Sequence, residues 1–209
     1  MKEEMPLRVS LRRLLESADT ARGFFFDPPV LETERLRLRG IRMRDAKDIY
    51  EWSSDPEVAE YVLWEAHRSV GETRDYIRYI RGLYRRGLPS SWGVELKSEG
   101  KVIGTIGLMS YFPEHRSAEV GYSFGKAWWH HGYAPEALSA LLDFLFEKMK
   151  LNRVEAQCDV RNGPSARVME KSGMRREGLL RQRVINKGSP VDVYLYAVLR
   201  EEWLKSAQS

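Results

Sequence analysis

Alternating apolar and polar residues along much of the chain predict β-strands separated by short turns. The predicted strands cover residues 35–43, 91–97, 101–111, 117–124, 153–160, 177–186 and 191–200. The turn at residues 98–100 predicts an antiparallel hairpin between the second and third strands. A second turn at residues 187–190 joins the last two strands, which complete the predicted domain.

Apolar residues at helical spacing predict helices between these strands. The predicted helices are, in order, Asp45–Ser53, Pro56–Val62, Val70–Arg86, Pro135–Met149 and Ser165–Lys171. The fourth of these carries one apolar stripe, and the fifth is closed by Gly173. From residue 91 onward the order of elements is β-β-β-α-β-α-β-β, which predicts a mixed α/β fold.

The first 29 residues are predicted to form an arm outside the main domain. Residues 1–22 place Leu7, Leu11, Leu14 and Leu15 at helical spacing, and residues 23–29 form a connector rich in glycine and proline. The three consecutive phenylalanines of this connector are expected to dock the arm onto the main domain or to contact a partner. The predicted organisation is an arm over residues 1–29 and one domain over residues 30–209.

The composition fits an ordinary globular domain and argues against several classes of function. The 209 residues are 43% hydrophobic and carry a net charge of +4, a small imbalance for a dedicated nucleic-acid binder. No run approaches the roughly 20 apolar residues of a membrane helix, and the acidic start does not fit a signal peptide. We therefore expect a cytoplasmic protein, monomeric or homodimeric, with no membrane partner and no specific nucleic-acid partner.

Cysteine and histidine usage gives no sign of a metal site. Cys158 is the only cysteine, and the alternation around it predicts a core or half-buried thiol rather than a nucleophile. The four histidines lack the paired spacing of a zinc helix. We therefore expect no metal.

The most basic stretch alternates arginine with leucine at Arg35, Arg37 and Arg39. This pattern favours a strand with one solvated and one buried face. The alternative, a patch that contacts ribosomal RNA, is less consistent with the modest net charge.

Residues 128–136 predict a site for a pyrophosphate. A strand ends, a loop carries Gly132 and the small Ala134, and a helix follows with Pro135 in its first turn. The free N–H groups of such a first turn lie at the positive end of the helix dipole and suit an anion. The alternative is a tight strand-to-helix connection that binds nothing.

A second segment supports the binding interpretation. A strand ends near Val160, and a helix begins after Asn162 with Ser165 in its first turn. Asn162 can cap this helix, or its amide can hydrogen-bond a bound cofactor.

Together the two segments resemble the GNAT acetyltransferases, in particular the branch that contains the Rim-type ribosomal-protein N-terminal acetyltransferases. The resemblance extends from about Leu31 to Trp203. It rests on Leu31-Glu-Thr-Glu-Arg-Leu-Arg-Leu-Arg, on the pattern Trp-x-x-Gly-Tyr-Ala-x-Glu-Ala-Leu beginning at Trp129, and on Asn-x-x-Ser at Asn162 with Gly173 closing the helix.

The resemblance implies the GNAT fold and acetyl-CoA as co-substrate. The expected fold is a mostly antiparallel twisted sheet, flanked by helices and splayed between its fourth and fifth strands, often at a β-bulge, with the pantetheine arm in the gap. The resemblance assigns the pyrophosphate to backbone N–H groups of His131, Gly132, Tyr133 and Ala134, and the pantetheine arm to Asn162.

Acetyl transfer to an amine requires a neutral amine and a polarised thioester carbonyl. Glu119, which begins the strand facing the thioester, is the first candidate for the general base. Its alternative role is a solvent-facing residue or a partner of Arg116, and His115 and His67 are the other candidate bases. A backbone N–H near Gly121 or Tyr122 would polarise the carbonyl.

The leaving thiolate and the acceptor each have candidate residues. Met169 stands where some GNAT enzymes carry a tyrosine acid, so that acid is excluded, and Ser165 remains as a donor to the thiolate or as part of its helix's first turn. The resemblance places four candidate acceptor-binding residues opposite the cofactor: Trp64, His67, Tyr111 and Phe112. Core packing is the alternative for the aromatic pair Tyr111 and Phe112.

The sequence therefore predicts an N-acetyltransferase that transfers an acetyl group directly from acetyl-CoA to a primary amine. The favoured acceptor is the α-amine of a protein or peptide, of the ribosomal-protein type. The alternatives are a small-molecule amine such as an antibiotic or polyamine, a catalytically silent acyl-CoA-binding module, and a ribosome-associated RNA-binding factor.

Overall fold

The computed structural model describes residues 22–206 and contains one open sheet of eight strands in the order β1-β2-β3-β4-β5-β6-β8-β7. The strands are β1 (Leu31–Glu32), β2 (Leu36–Gly40), β3 (Ser91–Leu96), β4 (Lys101–Phe112), β5 (Ser117–Phe124), β6 (Arg153–Asp159), β7 (Arg175–Asn186) and β8 (Ser189–Leu199). All neighbours pair antiparallel except β5 and β6, which are parallel. The prediction of a mixed, mostly antiparallel sheet is confirmed.

Besides the helical residues 22–26, six helices flank the sheet within the described residues. They are α1 (Ala46–Ser53), α2 (Pro56–Ala59), α3 (Val70–Arg86), α4 (Tyr133–Glu147), α5 (Gly163–Lys171) and α6 (Arg200–Ser206). Side-chain oxygens of Asp55 and Ser69 accept N–H groups at the starts of α2 and α3. Gly87 ends α3 with a φ of 60°, which glycine adopts readily. No helix within residues 22–206 is both long and apolar enough to cross a bilayer.

The two faces of the sheet carry separate cores. Buried residues of α4, among them Leu138, Leu141 and Phe146, pack with sheet residues such as Val120 and Tyr196 on one face. On the other face, α1 and α3 pack around Ile49, Ile77 and Ile80. Burying a side chain of this size contributes about 1.5–3 kcal/mol, so both layers hold the central strands in place.

Strand β2 departs from the alternation predicted for its arginines. Leu36 and Leu38 are fully buried as expected, but Arg39 is only 4% exposed. Its guanidinium makes two hydrogen bonds of 2.8 and 3.0 Å to Asp45 and a third, of 2.7 Å, to Glu95. The prediction of a solvated arginine face is wrong at Arg39, because the turn at Met43–Asp45 covers that face and supplies the buried charge with a partner.

The N-terminal segment also differs from the prediction of a connector. Residues 22–26 are helical, and the break comes only after Phe26. Phe25 is buried in the core on the α4 side, and Phe24 packs edge-on against Phe144 at 5.1 Å, whereas Phe26 stays half exposed. The ring of Phe26 lies against Gly87, so all three phenylalanines contact the main domain as predicted. The leucines of residues 1–21 lie outside the described residues. Strand β1 and helix α6 were not predicted.

The sheet splays where the resemblance implied. Counting from β2, the fourth and fifth strands are β5 and β6, which pair only over Ser117–Glu119 and residues 153–155. The register of β4 against β5 shifts between Leu108 and Ser110, so Met109 forms a β-bulge. Beyond Glu119 the two parallel strands diverge, and the gap between them positions the candidate site.

Candidate functional site

Two clefts meet at the gap between β5 and β6. The smaller one, of about 290 Å³, adjoins the first turns of α4 and α5. The larger one, of about 660 Å³, lies between α3, the β4 bulge and the β7–β8 hairpin. Both are lined by Tyr61, Val62, Tyr122, Ser123, Asn162 and Ser165. Ligands that enter from opposite sides can therefore meet at these shared residues.

The start of α4 presents unpaired N–H groups at the smaller cleft. Gly132 precedes the helix with a φ of 79°, a left-handed conformation that favours glycine. Within residues 22–206, the N–H groups of His131, Gly132, Tyr133 and Ala134 donate to no other protein group. Four free donors at the positive end of a helix dipole could hold a phosphate.

Arg35 fixes this loop against the front of the sheet. Its guanidinium donates to the Glu136 carboxylate at 2.7 Å and to the His131 carbonyl at 3.0 Å, and it stacks over the Tyr133 ring at 4.6 Å. Thr33 donates to the same carboxylate at 2.5 Å. Arg35 thus holds the loop in position. Arg37 and Arg39 are also paired with carboxylates, so the three arginines do not form a free basic patch.

Asn162, Ser165 and Tyr122 form a polar cluster where the two clefts join. The Asn162 Oδ1 accepts the Ser165 N–H at 3.1 Å and so caps α5. The Tyr122 hydroxyl donates to the Ser165 carbonyl at 3.0 Å and lies 3.0 Å from the Ser165 Oγ. Burial raises the pKa of the Tyr122 phenol, which therefore stays protonated at neutral pH.

The sequence predicted a role for the backbone N–H of Tyr122 but none for its phenol. The signal was available in the alternation of β5, since Tyr122 shares a face with the buried Val120 and Phe124. That face is the one packed by α4 and adjoins α5.

Glu119 lies at the point where β5 and β6 part. It is paired with Glu155 across the parallel strands and lines the larger cleft. Burial raises the pKa of the Glu119 carboxyl, and the negative charge of Glu155 raises it further. A carboxylate with a raised pKa is a stronger base, so this position suits proton abstraction from a ligand in the larger cleft. The alternative base His115 is largely exposed and lines neither cleft.

Of the predicted acceptor-side residues, Trp64 lines the larger cleft and His67 does not. His67 lies behind Trp64, with ring centroids 5.6 Å apart. Its Nδ1 is 2.8 Å from both the Ser53 and the Thr73 hydroxyl, and burial lowers the pKa of the imidazole. The geometry therefore gives His67 a supporting position, neither a ligand contact nor the alternative role of base.

Tyr111 also lies away from the larger cleft, because of the β4 bulge. By simple alternation Tyr111 would face opposite Leu108, but the extra residue Met109 returns it to the same face. There it packs against Phe25 at 5.5 Å. Met109 lines the cleft instead, with its side chain against Gly121, where an added Cβ would come within 3.1 Å of the Met109 Cγ.

Cys158 borders the larger cleft but is poorly suited to nucleophilic attack. It is 6% exposed, as the sequence predicted, and burial raises the pKa of its thiol to about 11. The thiolate is therefore scarce at neutral pH. Among residues 22–206, no group of three or more His, Cys, Asp or Glu side chains is placed to hold a metal ion.

Several proteins similar to this chain are named acetyltransferases. An uncharacterized N-acetyltransferase, p20, from Bacillus licheniformis is 36% identical over 173 residues, which cover 83% of this chain and 97% of that protein. A ribosomal-protein-serine acetyltransferase of Escherichia coli is 26% identical over 168 residues, with coverages of 79% and 93%. The crystal structure of a GNAT-family acetyltransferase from Bacillus anthracis matches with a TM-score of 0.75 at 34% identity, covering 83% of this chain and 99% of that one.

The family model described as an acetyltransferase (GNAT) domain matches residues 35–175, more than half of the chain. This range includes the diverging strands, the start of α4 and the polar cluster at Ser165. The chain is an N-acetyltransferase of the GNAT family.

Proposed function

We propose that this enzyme transfers an acetyl group from acetyl-CoA to the α-amine of a protein or peptide. The observation that carries the proposal is the pair of clefts joined at the gap between β5 and β6, with free N–H donors on one side and Glu119 on the other. A relative is named a ribosomal-protein-serine acetyltransferase, which supports an acceptor of the ribosomal-protein type.

Acetyl-CoA, the co-substrate of GNAT acetyltransferases, would place its pyrophosphate in the smaller cleft. When bound, acetyl-CoA supplies an acetyl group activated as a thioester. The N–H groups of residues 131–134 would hold its pyrophosphate, and Gly132 has no Cβ to crowd it. With its Oδ1 engaged by the Ser165 N–H, Asn162 retains its amide N–H₂ to donate to the pantetheine arm.

Glu119 would accept the proton that the acceptor amine must lose before it attacks. An α-amine has a pKa near 8, against about 10.4 for a lysine side chain. The α-amine is therefore easier to deprotonate at neutral pH. Since burial and Glu155 raise the pKa of Glu119, its carboxylate is better matched to this transfer than an exposed glutamate, directly or through one water.

Backbone and hydroxyl groups at the gap would stabilise the charge that develops. Successive N–H groups of a strand point to opposite sides, so one of Gly121 and Tyr122 directs its N–H toward the gap. That N–H would polarise the thioester carbonyl. The Ser165 hydroxyl would donate to the departing thiolate. Its Oγ, 3.0 Å from the Tyr122 phenol, would then accept the phenol proton in place of the Ser165 carbonyl.

Release of free CoA tests this function directly. We expect acetyl-CoA turnover with peptides that bear free N-termini, and much slower turnover with polyamines, aminoglycosides and N-terminally blocked peptides. Mass spectrometry should locate the added 42 Da on the α-amine. If a small amine is turned over faster than the peptides, that amine and not a peptide is the acceptor. If acetyl-CoA binds but no amine causes release of CoA, the protein is a silent binding module.

The Cys158→Ser variant should retain most of the wild-type kcat, because the proposed attack on the thioester is direct. The thiol is buried with a pKa of about 11, so no acetyl-cysteine intermediate is expected. The measurement is steady-state kcat together with mass analysis of enzyme quenched during turnover. Direct transfer would be contradicted if the wild-type enzyme became acetylated during turnover and the Cys158→Ser variant lost both this acetylation and its turnover.

A further inference from the structure

A short segment ahead of the sheet packs behind one wall of the larger cleft. Residues 22–26 are helical, and the chain then runs without regular structure to β1. Phe25 is buried in the core on the α4 side, and the Trp92 indole N–H donates to the Pro29 carbonyl at 2.8 Å. These contacts fix the segment on the domain. It lies ahead of residues 35–175, so it is an addition to the part of the chain that the family model matches.

The wall in front of this segment is the α3–β3 loop, residues 87–90. Three of its residues, Leu88, Pro89 and Ser90, line the larger cleft. The Leu88 N–H donates to the Leu83 carbonyl, and the Ser90 carbonyl accepts the Leu108 N–H, each at 3.1 Å. These bonds tie the loop to α3 and to β4, but neither fixes how deeply its side chains extend into the cleft. That depth depends on what packs behind the loop.

Phe26 packs behind the α3–β3 loop. An added Cβ at Gly87 would come within 2.7 Å of the Phe26 Cε2, so the ring lies directly on the loop backbone. Gly87 permits this approach because it has no side chain, and its φ of 60° suits glycine. The Phe26 side chain is 51% exposed and lines neither cleft. It therefore adds little to the core, and its contact with the loop reaches the cleft only through the loop.

The other two phenylalanines of the segment contact different parts of the domain. Phe24 packs on Phe144 of α4, and Phe25 packs on Tyr111 of β4 with ring centroids 5.5 Å apart. By contrast, the three atoms nearest to an added Cβ at Gly87 all belong to Phe26. Anchoring of the segment and support of the cleft wall are thus divided between neighbouring residues.

We propose that Phe26 is a positioning residue for the acceptor, whose ring holds the α3–β3 loop where Leu88 and Ser90 can contact the bound amine. The inference rests on the proposed function, in which the acceptor occupies the larger cleft, and deepens it by adding a residue that sets acceptor affinity. Without the ring, the loop would also occupy positions that cannot bind. The apparent Kd of a ligand rises by the inverse of the fraction of protein in the competent state. The effect therefore falls on acceptor binding rather than on the chemical step at Glu119.

Phe26→Ala tests the proposal by steady-state kinetics. With the peptide Ser-Ala-Ala-Ala amide, we expect a KM about 3- to 10-fold higher than wild type, as for a loop that is competent about a third to a tenth of the time. The kcat at saturating peptide and the KM for acetyl-CoA should keep their wild-type values. Phe26→Met, with an apolar side chain of similar length, should restore most of the affinity for the peptide.

Phe24→Ala is the matched control, because it removes the neighbouring ring from its contact with α4. It should lower the melting temperature more than Phe26→Ala does, while the peptide KM stays at the wild-type value. A KM that rises equally in both variants would mean that general stability, and not the α3–β3 loop, sets the affinity.

Hydrogen exchange measures the loop without any acceptor. The amides of Leu88 and Leu108 form the two bonds that tie the loop down. Both should exchange faster in Phe26→Ala than in wild type, and both should keep their wild-type rates in Phe24→Ala. Unchanged exchange at these amides in Phe26→Ala would overturn the inference, whichever amine the enzyme acetylates.

The kinetic results separate this inference from the proposed function. An unchanged peptide KM in Phe26→Ala would overturn the inference, as would a raised KM for acetyl-CoA, and either result leaves the proposed function intact. If the wild-type enzyme acetylates no peptide, the proposed function fails, and the KM for the amine that it does acetylate replaces the peptide KM in the comparison. If it acetylates no amine, both fail.

Discussion

The Gly132→Asp variant is expected to lose acetyl-CoA binding almost completely, with Kd raised at least about a hundredfold. The new carboxylate would lie among the N–H groups of residues 131–134 and accept the hydrogen bonds proposed for the pyrophosphate. Its charge would also repel the phosphates. An added Cβ at Gly132 already comes within 3.4 Å of the Arg35 Nη2, and a φ of 79° strains any side chain. The fold should persist, because aspartate satisfies free N–H groups at a helix start.

Thermal unfolding with and without acetyl-CoA measures this effect. At a concentration 100 times its Kd, a ligand stabilises the folded state by about 2.7 kcal/mol, and Gly132→Asp should show almost none of this gain. Gly132→Asn, uncharged and tolerant of left-handed backbone, separates charge from strain. Gly100→Asp provides the matched control, because Gly100 has a φ of 65° and open space around it. Full retention of binding in Gly132→Asp would show that the phosphates lie elsewhere.

The Glu119→Gln variant is expected to lose about 100-fold or more in kcat while becoming more stable at neutral pH. A glutamine cannot accept the amine proton, and general bases contribute about 10²- to 10⁴-fold. The pKa of Glu119 is higher in the folded protein than in the unfolded chain. Protonation of this carboxyl therefore stabilises the folded state. That stabilisation is complete below the unfolded pKa and is lost as the pH rises through the folded pKa. Neutral glutamine keeps it at all pH values.

Melting temperatures measured from pH 4 to pH 8 therefore test Glu119 independently of activity. The melting temperature of Glu119→Gln should be higher than that of wild type at pH 8, and the difference between the two melting temperatures should narrow toward pH 4. Glu155→Gln removes the charge that raises the pKa of Glu119, so the acidic limb of the kcat/KM profile should move to lower pH with little loss at high pH. A Glu119→Gln enzyme with wild-type kcat would assign the base to another group.

Local patterns in the sequence predicted most of the elements and placed the start of α4 within two residues of its position. The β3–β4 and β7–β8 hairpins follow from short-range turn residues, and α3 and β5 have the predicted bounds. At α4, Gly132 and Pro135 mark the helix start through backbone requirements that depend on adjacent residues alone. The predicted helix started two residues late, because Tyr133 and Ala134 carry no boundary signal of their own.

Features that depend on distant contacts could not be predicted. The bulge at Met109 reverses the face of Tyr111, and alternation in one strand does not reveal an extra residue relative to its neighbour. His67 was placed in the acceptor cleft, although its neighbours Ser53 and Thr73 hold it behind Trp64. The strand β1 has only two residues, Leu31–Glu32, and depends on pairing with β2 rather than on its own pattern.

The short parallel pairing between β5 and β6 has a consequence for the whole sheet. Three residue pairs join the section β1–β5 to the section β6–β8, and the rest of that seam carries no strand pairing. Helix α4 and the core beneath it connect the two sections, since that core includes Val120 of one and Val154 and Tyr196 of the other. A pantetheine arm lying along the seam would add contacts to both edges. The co-substrate would then bridge the two sections along the part of the seam that no strand pairing joins.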